Sequence, residues 1–72
     1  MPNAIKLRKI LLALHRLGFT QVRRKGSHAF FEHPDGRTTL IPFHKEIKVK
    51  LLTKIAKHDV KMDLKEFLRL AE

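Results

Sequence analysis

The hydrophobic and polar positions fall into helical stretches at the two ends of the chain, with a β-like middle between them. Near the N-terminus Ile5, Leu11, Leu12 and Leu14 recur at helical spacing, and Leu7 and Leu17 widen the apolar side. Asn3 stands where an N-cap belongs and Gly18 where a helix stops, so the pattern predicts a helix over residues 4–17. Residues 19–25 (FTQVRRK) are extended in character and too short for a second helix. After Gly26, residues 27–33 (SHAFFEH) read as a strand running into the turn Pro34-Asp35-Gly36. The β-branched residues 37–41 (RTTLI) then complete a hairpin, and Pro42 ends regular pairing or marks an edge. From Glu46 helical spacing returns, with Val49, Leu52, Ile55 and Ala56 on one face and Lys48, Lys50, Lys54, Lys57 and Lys61 keeping the segment soluble. Asp63 followed by Glu66 is a capping-box pattern opening a last helix that carries Leu64, Phe67, Leu68 and Leu70.

This order predicts an α+β fold: a three-stranded antiparallel sheet covered by helices on one face, its other face open to a ligand or partner. Phe30 and Phe31 are neighbours and therefore point to opposite faces of their strand, which places one of them on the open side.

With 72 residues the chain is one domain, residues 1–72, with one small core. That excludes a large enzyme with a deep enclosed pocket, but not a small enzyme working on a large, open substrate. No cysteine is present, so neither a disulfide framework nor a thiolate metal site is available, and the usage fits a cytoplasmic protein. The hydrophobic share of 43% is too high for a disordered tail, and no apolar run approaches the roughly 18 residues of a membrane span. The basic, apolar N-terminus is interrupted by charges and His15 and lacks a small-residue cleavage site, so it reads as a helix rather than a signal peptide. Charge changes the picture most. Sixteen Lys or Arg against seven Asp or Glu give +9, which points to a polyanionic partner, nucleic acid first; a solvated basic surface and a membrane surface are the alternatives.

The segment Arg23-Arg24-Lys25-Gly26-Ser27-His28 concentrates candidate chemistry. Arg23, Arg24 and Lys25 suit phosphate oxygens. Gly26 permits close approach of the backbone to a sugar-phosphate, and Ser27 can hydrogen-bond a phosphate or orient the imidazole. His28 can move a proton near neutral pH. RNA needs little else, because its 2′-hydroxyl is an internal nucleophile already held beside the phosphorus, and no metal is required by that scheme. The plainer readings are a structural histidine, a turn at Gly26-Ser27 and a solvated cationic face. Of the other histidines, His15 edges the first helix, His33 adjoins the turn, His44 follows Pro42-Phe43, and His58 lies near a helix C-terminus, where a cation is favoured. His28, His33 and His44 show no paired-ligand spacing for zinc. No Gly-rich phosphate loop, HExxH, GxSxG or paired-carboxylate site is present.

Taken in order, Leu17-Gly18-Phe19, Arg24-Lys25-Gly26-Ser27-His28, His33-Pro34-Asp35-Gly36-Arg37, Ile41-Pro42-Phe43-His44 and a Leu- and Lys-rich helix resemble the HicA toxin family, over about residues 5–58. Phe43 stands where that family usually has a basic residue, and Val49-Lys50-Leu51 where it often has a Gly-Thr pair. The resemblance implies a fold like a double-stranded-RNA-binding domain and an endoribonuclease that cleaves mRNA, blocks translation and slows growth. It also implies a HicB antitoxin partner, no metal or other cofactor, and a catalytic histidine at His28. A non-catalytic RNA-binding module using the same basic face is the rival from another class. A DNA-binding partner is a third reading, weakened by the lack of a helix-turn-helix pair.

Overall fold

The computed structural model describes residues 3–72. Its elements in chain order are β1 (Ala4–Lys6), α1 (Leu7–Leu17), β2 (Thr20–Lys25), β3 (His28–Glu32), β4 (Thr38–Pro42), β5 (Glu46–Lys48), α2 (Val49–Lys54), a π-helical segment (Ile55–Val60) and α3 (Leu64–Arg69). The fold is α+β, with the helix, three-stranded antiparallel sheet and helix of a double-stranded-RNA-binding domain and a short C-terminal helix added. No helix among the described residues is long and apolar enough to cross a membrane.

The first helix starts later than its periodicity predicts. Residues 4–6 pair with β5 in an antiparallel ribbon, Ile5 opposite Ile47, instead of extending α1. Lys6 and Lys48 precede α1 and α2 in extended conformation, and neither caps its helix with a side chain. The ribbon does the capping: the Leu7 amide donates to the Lys45 carbonyl (3.0 Å) and the Val49 amide to the Asn3 carbonyl (2.9 Å). Each helix thus has its first N–H, one of the groups a helix leaves unpaired, satisfied by the strand leading to the other. Asn3 contributes a backbone oxygen to α2, not a side-chain cap to α1. Glu46 to Lys48, read as the start of the second helix, form β5 for the same reason. The buried stripe of α1 is Ile10, Ala13 and Leu14, while Leu12 is turned outward.

The main sheet has the order β2-β3-β4. Ala29, Phe31, Thr39 and Ile41 point to the helices and are buried; the alternate residues His28, Phe30, Glu32 and Leu40 face away. Phe67, fully buried, carries α3 onto the same core. Asp63 caps α3 by accepting from the Lys65 amide (3.3 Å), and Arg16 binds its far end through the carbonyls of Leu70 and Glu72 (2.6 and 2.7 Å). Thr39, the only buried polar residue among those described, donates its hydroxyl to the Asp59 carboxylate (2.8 Å), tying β4 to the π-helical segment.

One histidine is spent on the fold. His33 Nδ1 accepts from the Asp35 amide (3.1 Å), which leaves Nε2 to donate to the Leu17 carbonyl (2.9 Å) at the end of α1. In the same turn, the Arg37 amide and then its guanidinium hold the Asp35 carboxyl below its ordinary value. The charged carboxylate therefore supports the turn above the ordinary carboxylate range, and that support is lost as the medium acidifies through the lowered value. Gly18 ends α1 at φ 103°, and a Cβ there would lie 3.1 Å from His33 Nε2. Gly18→Ala is therefore expected to destabilise by about 1–3 kcal/mol, from left-handed strain and a displaced His33. A thermal melt lowered by at least roughly 4 °C is the expected reading.

Candidate nucleic-acid interface

The β2–β3 connection fixes how the basic segment is presented. Lys25 and His28 are register partners, so Gly26 and Ser27 alone make the turn. Gly26 takes φ 59°, a value costly to any residue with a Cβ, although nothing lies within 4 Å of the place a Cβ would occupy. Its glycine answers the turn rather than crowding. The Ser27 carbonyl accepts from the Phe43 amide, which locks the turn to the end of β4.

Register then sorts the cations. Lys25 pairs with His28 and Arg23 with Phe30, so both share the open face with the imidazole. A bulge between Gln21 and Arg23 sets this phase and leaves Val22 out of the pairing and 57% exposed. Arg24 pairs with Ala29 and belongs to the opposite face. Its guanidinium lies 4.3 Å over the Phe43 ring and its Nε donates to the Gly26 carbonyl (3.0 Å), so it braces the turn. The Arg23 guanidinium stands 4.5 Å over the half-buried Phe30 ring, so the cation rests on the aromatic face.

The open face is a run of shallow concavities rather than a pocket. Leu40 and Phe30 form its apolar floor, with Arg23 on one side and Lys25 and His28 on another. A third hollow lies between β4 and the helix that follows β5, with His28 on the sheet wall and Leu51, Lys54 and His58 on the helical wall. An apolar floor rimmed by cations and imidazoles suits a flexible polyanion whose bases can stack and whose phosphates need counter-charge.

The sequence grouped six consecutive residues; the structure keeps Arg23, Lys25 and His28 together on one face and turns Arg24 to the other. His44 is exposed beyond Pro42, the register partner of His28, and its amide donates to the Pro42 carbonyl (2.9 Å). His15 is exposed on α1. His33 sits one residue past the end of β3 opposite His28, engaged with Leu17, and among the described residues no three His, Asp or Glu are arranged to hold a metal ion. From sequence His58 reads only as a helix-end cation. Its spacing from Leu51 and Lys54, at i, i+3 and i+7, already put it on their stripe, but only the packed helix shows that this stripe faces His28.

A comparison with curated proteins found no match. The sequence profile of the family described as the HicA toxin of bacterial toxin–antitoxin systems matches residues 7–59, from the first residue of α1 to the aspartate that ties the π-helical segment to β4. That span is most of the chain and contains the whole open sheet face, and the chain belongs to the HicA toxin family.

Proposed function

We propose that this protein is the toxin of a cytoplasmic toxin–antitoxin pair, an endoribonuclease that cleaves mRNA without a metal and so inhibits translation. The observation that supports the reading best is one face carrying an exposed imidazole, His28, beside the cations of Lys25 and Arg23. The phosphodiester lies along Arg23 and Lys25, which neutralise its charge. His28 takes part in proton transfer as the 2′-oxygen attacks phosphorus. Gly26 and Ser27 shape the approach of the strand, and Arg24 acts through the turn it braces. Phe30 and the Arg23 guanidinium laid over its ring form the planar surface on which a base stacks. A HicB-like antitoxin neutralises the enzyme by covering this face, since an unrestrained nuclease would harm its own cell.

The test is incubation of the purified protein with an RNA containing paired and unpaired regions, in EDTA. Cleavage into discrete products is expected. Binding should weaken with salt, with a log–log slope of about −0.7 for each phosphate neutralised on a single strand. Tight, salt-sensitive binding with no cleavage would replace this reading with that of a non-catalytic RNA-binding module.

A further inference from the structure

Cleavage by a 2′-hydroxyl needs two proton transfers, one from the attacking oxygen and one to the departing 5′-oxygen. His28 on the open sheet face accounts for only one of them at a time. The hollow between β4 and the helical wall brings a second imidazole to the same place: His28 and His58 both line it, with Leu40 and Leu51 among its apolar lining. Its volume of about 390 Å³ falls within the roughly 300–1,000 Å³ of small-ligand sites. Both side chains are exposed, so neither is committed to the core.

The mount of His58 is also unusual. It sits in the π-helical segment Ile55–Val60, a geometry that is rare and concentrates at functional sites. The next residue, Asp59, is held by the buried Thr39 hydroxyl at 2.8 Å, and the Val60 carbonyl accepts from the Arg37 guanidinium. These two bonds, at the two residues that follow the imidazole, anchor the segment to β4 and to the turn before it, which fixes the helical wall relative to the strand that pairs with His28. Lys54 also lines the hollow, but an ammonium is a poor proton donor at neutral pH and serves better as counter-charge.

We infer that His58 is a second catalytic residue, the acid that protonates the leaving 5′-oxygen while His28 is the base; this rests on the ribonuclease reading above. His28 accepts the 2′-hydroxyl proton as the 2′-oxygen bonds to phosphorus. The phosphorus–O5′ bond breaks, its electron pair goes to the 5′-oxygen, and the His58 imidazolium donates the proton. The products are a 2′,3′-cyclic phosphate and a 5′-hydroxyl. His28 is left protonated and His58 neutral, and exchange with water restores both.

The experiment compares two RNAs cut at the position the native protein chooses, one unmodified and one with sulfur in place of the bridging 5′-oxygen. A thiolate leaves without a proton, so the second RNA needs the base and not the acid. His58→Ala is expected to cut unmodified RNA about 10²–10⁴-fold more slowly and the sulfur-bridged RNA at the native rate, while His28→Ala stays slow on both. Native-rate cleavage of unmodified RNA by His58→Ala overturns the assignment. So does an equal loss on both RNAs, the result of a merely structural role. If the native protein cuts neither, the ribonuclease reading falls and this assignment with it; if the native protein cuts and His58→Ala behaves in either overturning way, only this assignment falls.

Discussion

His28→Ala is expected to reduce RNA cleavage by about 10²–10⁴-fold, the usual worth of one positioned proton-transfer group, which is roughly 3–5 kcal/mol of barrier. The fold should not notice. His28 is exposed at the first position of β3, and the pairing of that strand runs through backbone groups that alanine retains. A surface change of this kind ordinarily stays within about 0.5 kcal/mol of stability. Affinity should change little as well, because the cations proposed to hold the phosphodiester, Arg23 and Lys25, stay in place on the same face. The checking measurement is a pair of curves on one preparation, cleavage rate and RNA binding against salt. A variant that loses binding in parallel with cleavage would show that His28 holds RNA instead of moving its proton.

Phe67→Ala is expected to be the most damaging change to the fold. Phe67 is completely buried and heads the large side chains at the centre of the core. Truncating a buried phenylalanine costs about 3–5 kcal/mol, from lost transfer energy and an unfilled cavity. A chain of 72 residues has a total stability of only about 4–11 kcal/mol. One substitution therefore removes from about a quarter to all of it. A melt lowered by more than roughly 12 °C is expected. A shift below about 4 °C would make α3 an appendage and not part of the core. The position is informative because it lies in residues 60–72, beyond the span matched by the family. This protein has built its core partly from its own C-terminal helix, fastened by Asp63 at one end and Arg16 at the other. Because α3 packs on α1 and on the helical side, the cleavage proposed for the open face should persist in whatever fraction of the variant remains folded.

How far the sequence could be read follows from the range of the forces involved. Alternation in SHAFFEH and RTTLI, with Pro34-Asp35-Gly36 between, is a local signal, and β3 and β4 pair as it predicts. Gly18 and Asp63 are equally local, and both act at the helix ends where their chemistry belongs. Ile5 misled the reading of α1. Its side chain is buried whether the backbone is helical or paired, and the choice belongs to β5, some 40 residues away in sequence, whose Ile47 lies opposite. Nothing near residues 4–6 encodes that partner.

The site divides in the same way. Patterning, composition and the run from Arg23 to His28 determined by themselves that this is a small basic α+β chain with one concentrated stretch of candidate phosphodiester chemistry. Which members of that stretch work together was a matter for strand register. The bulge at Val22 puts Arg23 and Lys25 beside His28, and a single-residue slip would have exchanged them for Arg24. The nearness of His58 to His28 was decided still further from the local sequence, by a π-helical segment docked on β4 through Thr39 and Asp59. Residue type and short-range period are written in the chain because they depend on neighbours within a turn or two. Register, helix docking and the placing of two imidazoles 30 positions apart around one hollow depend on how distant surfaces pack, and only the tertiary structure could decide them.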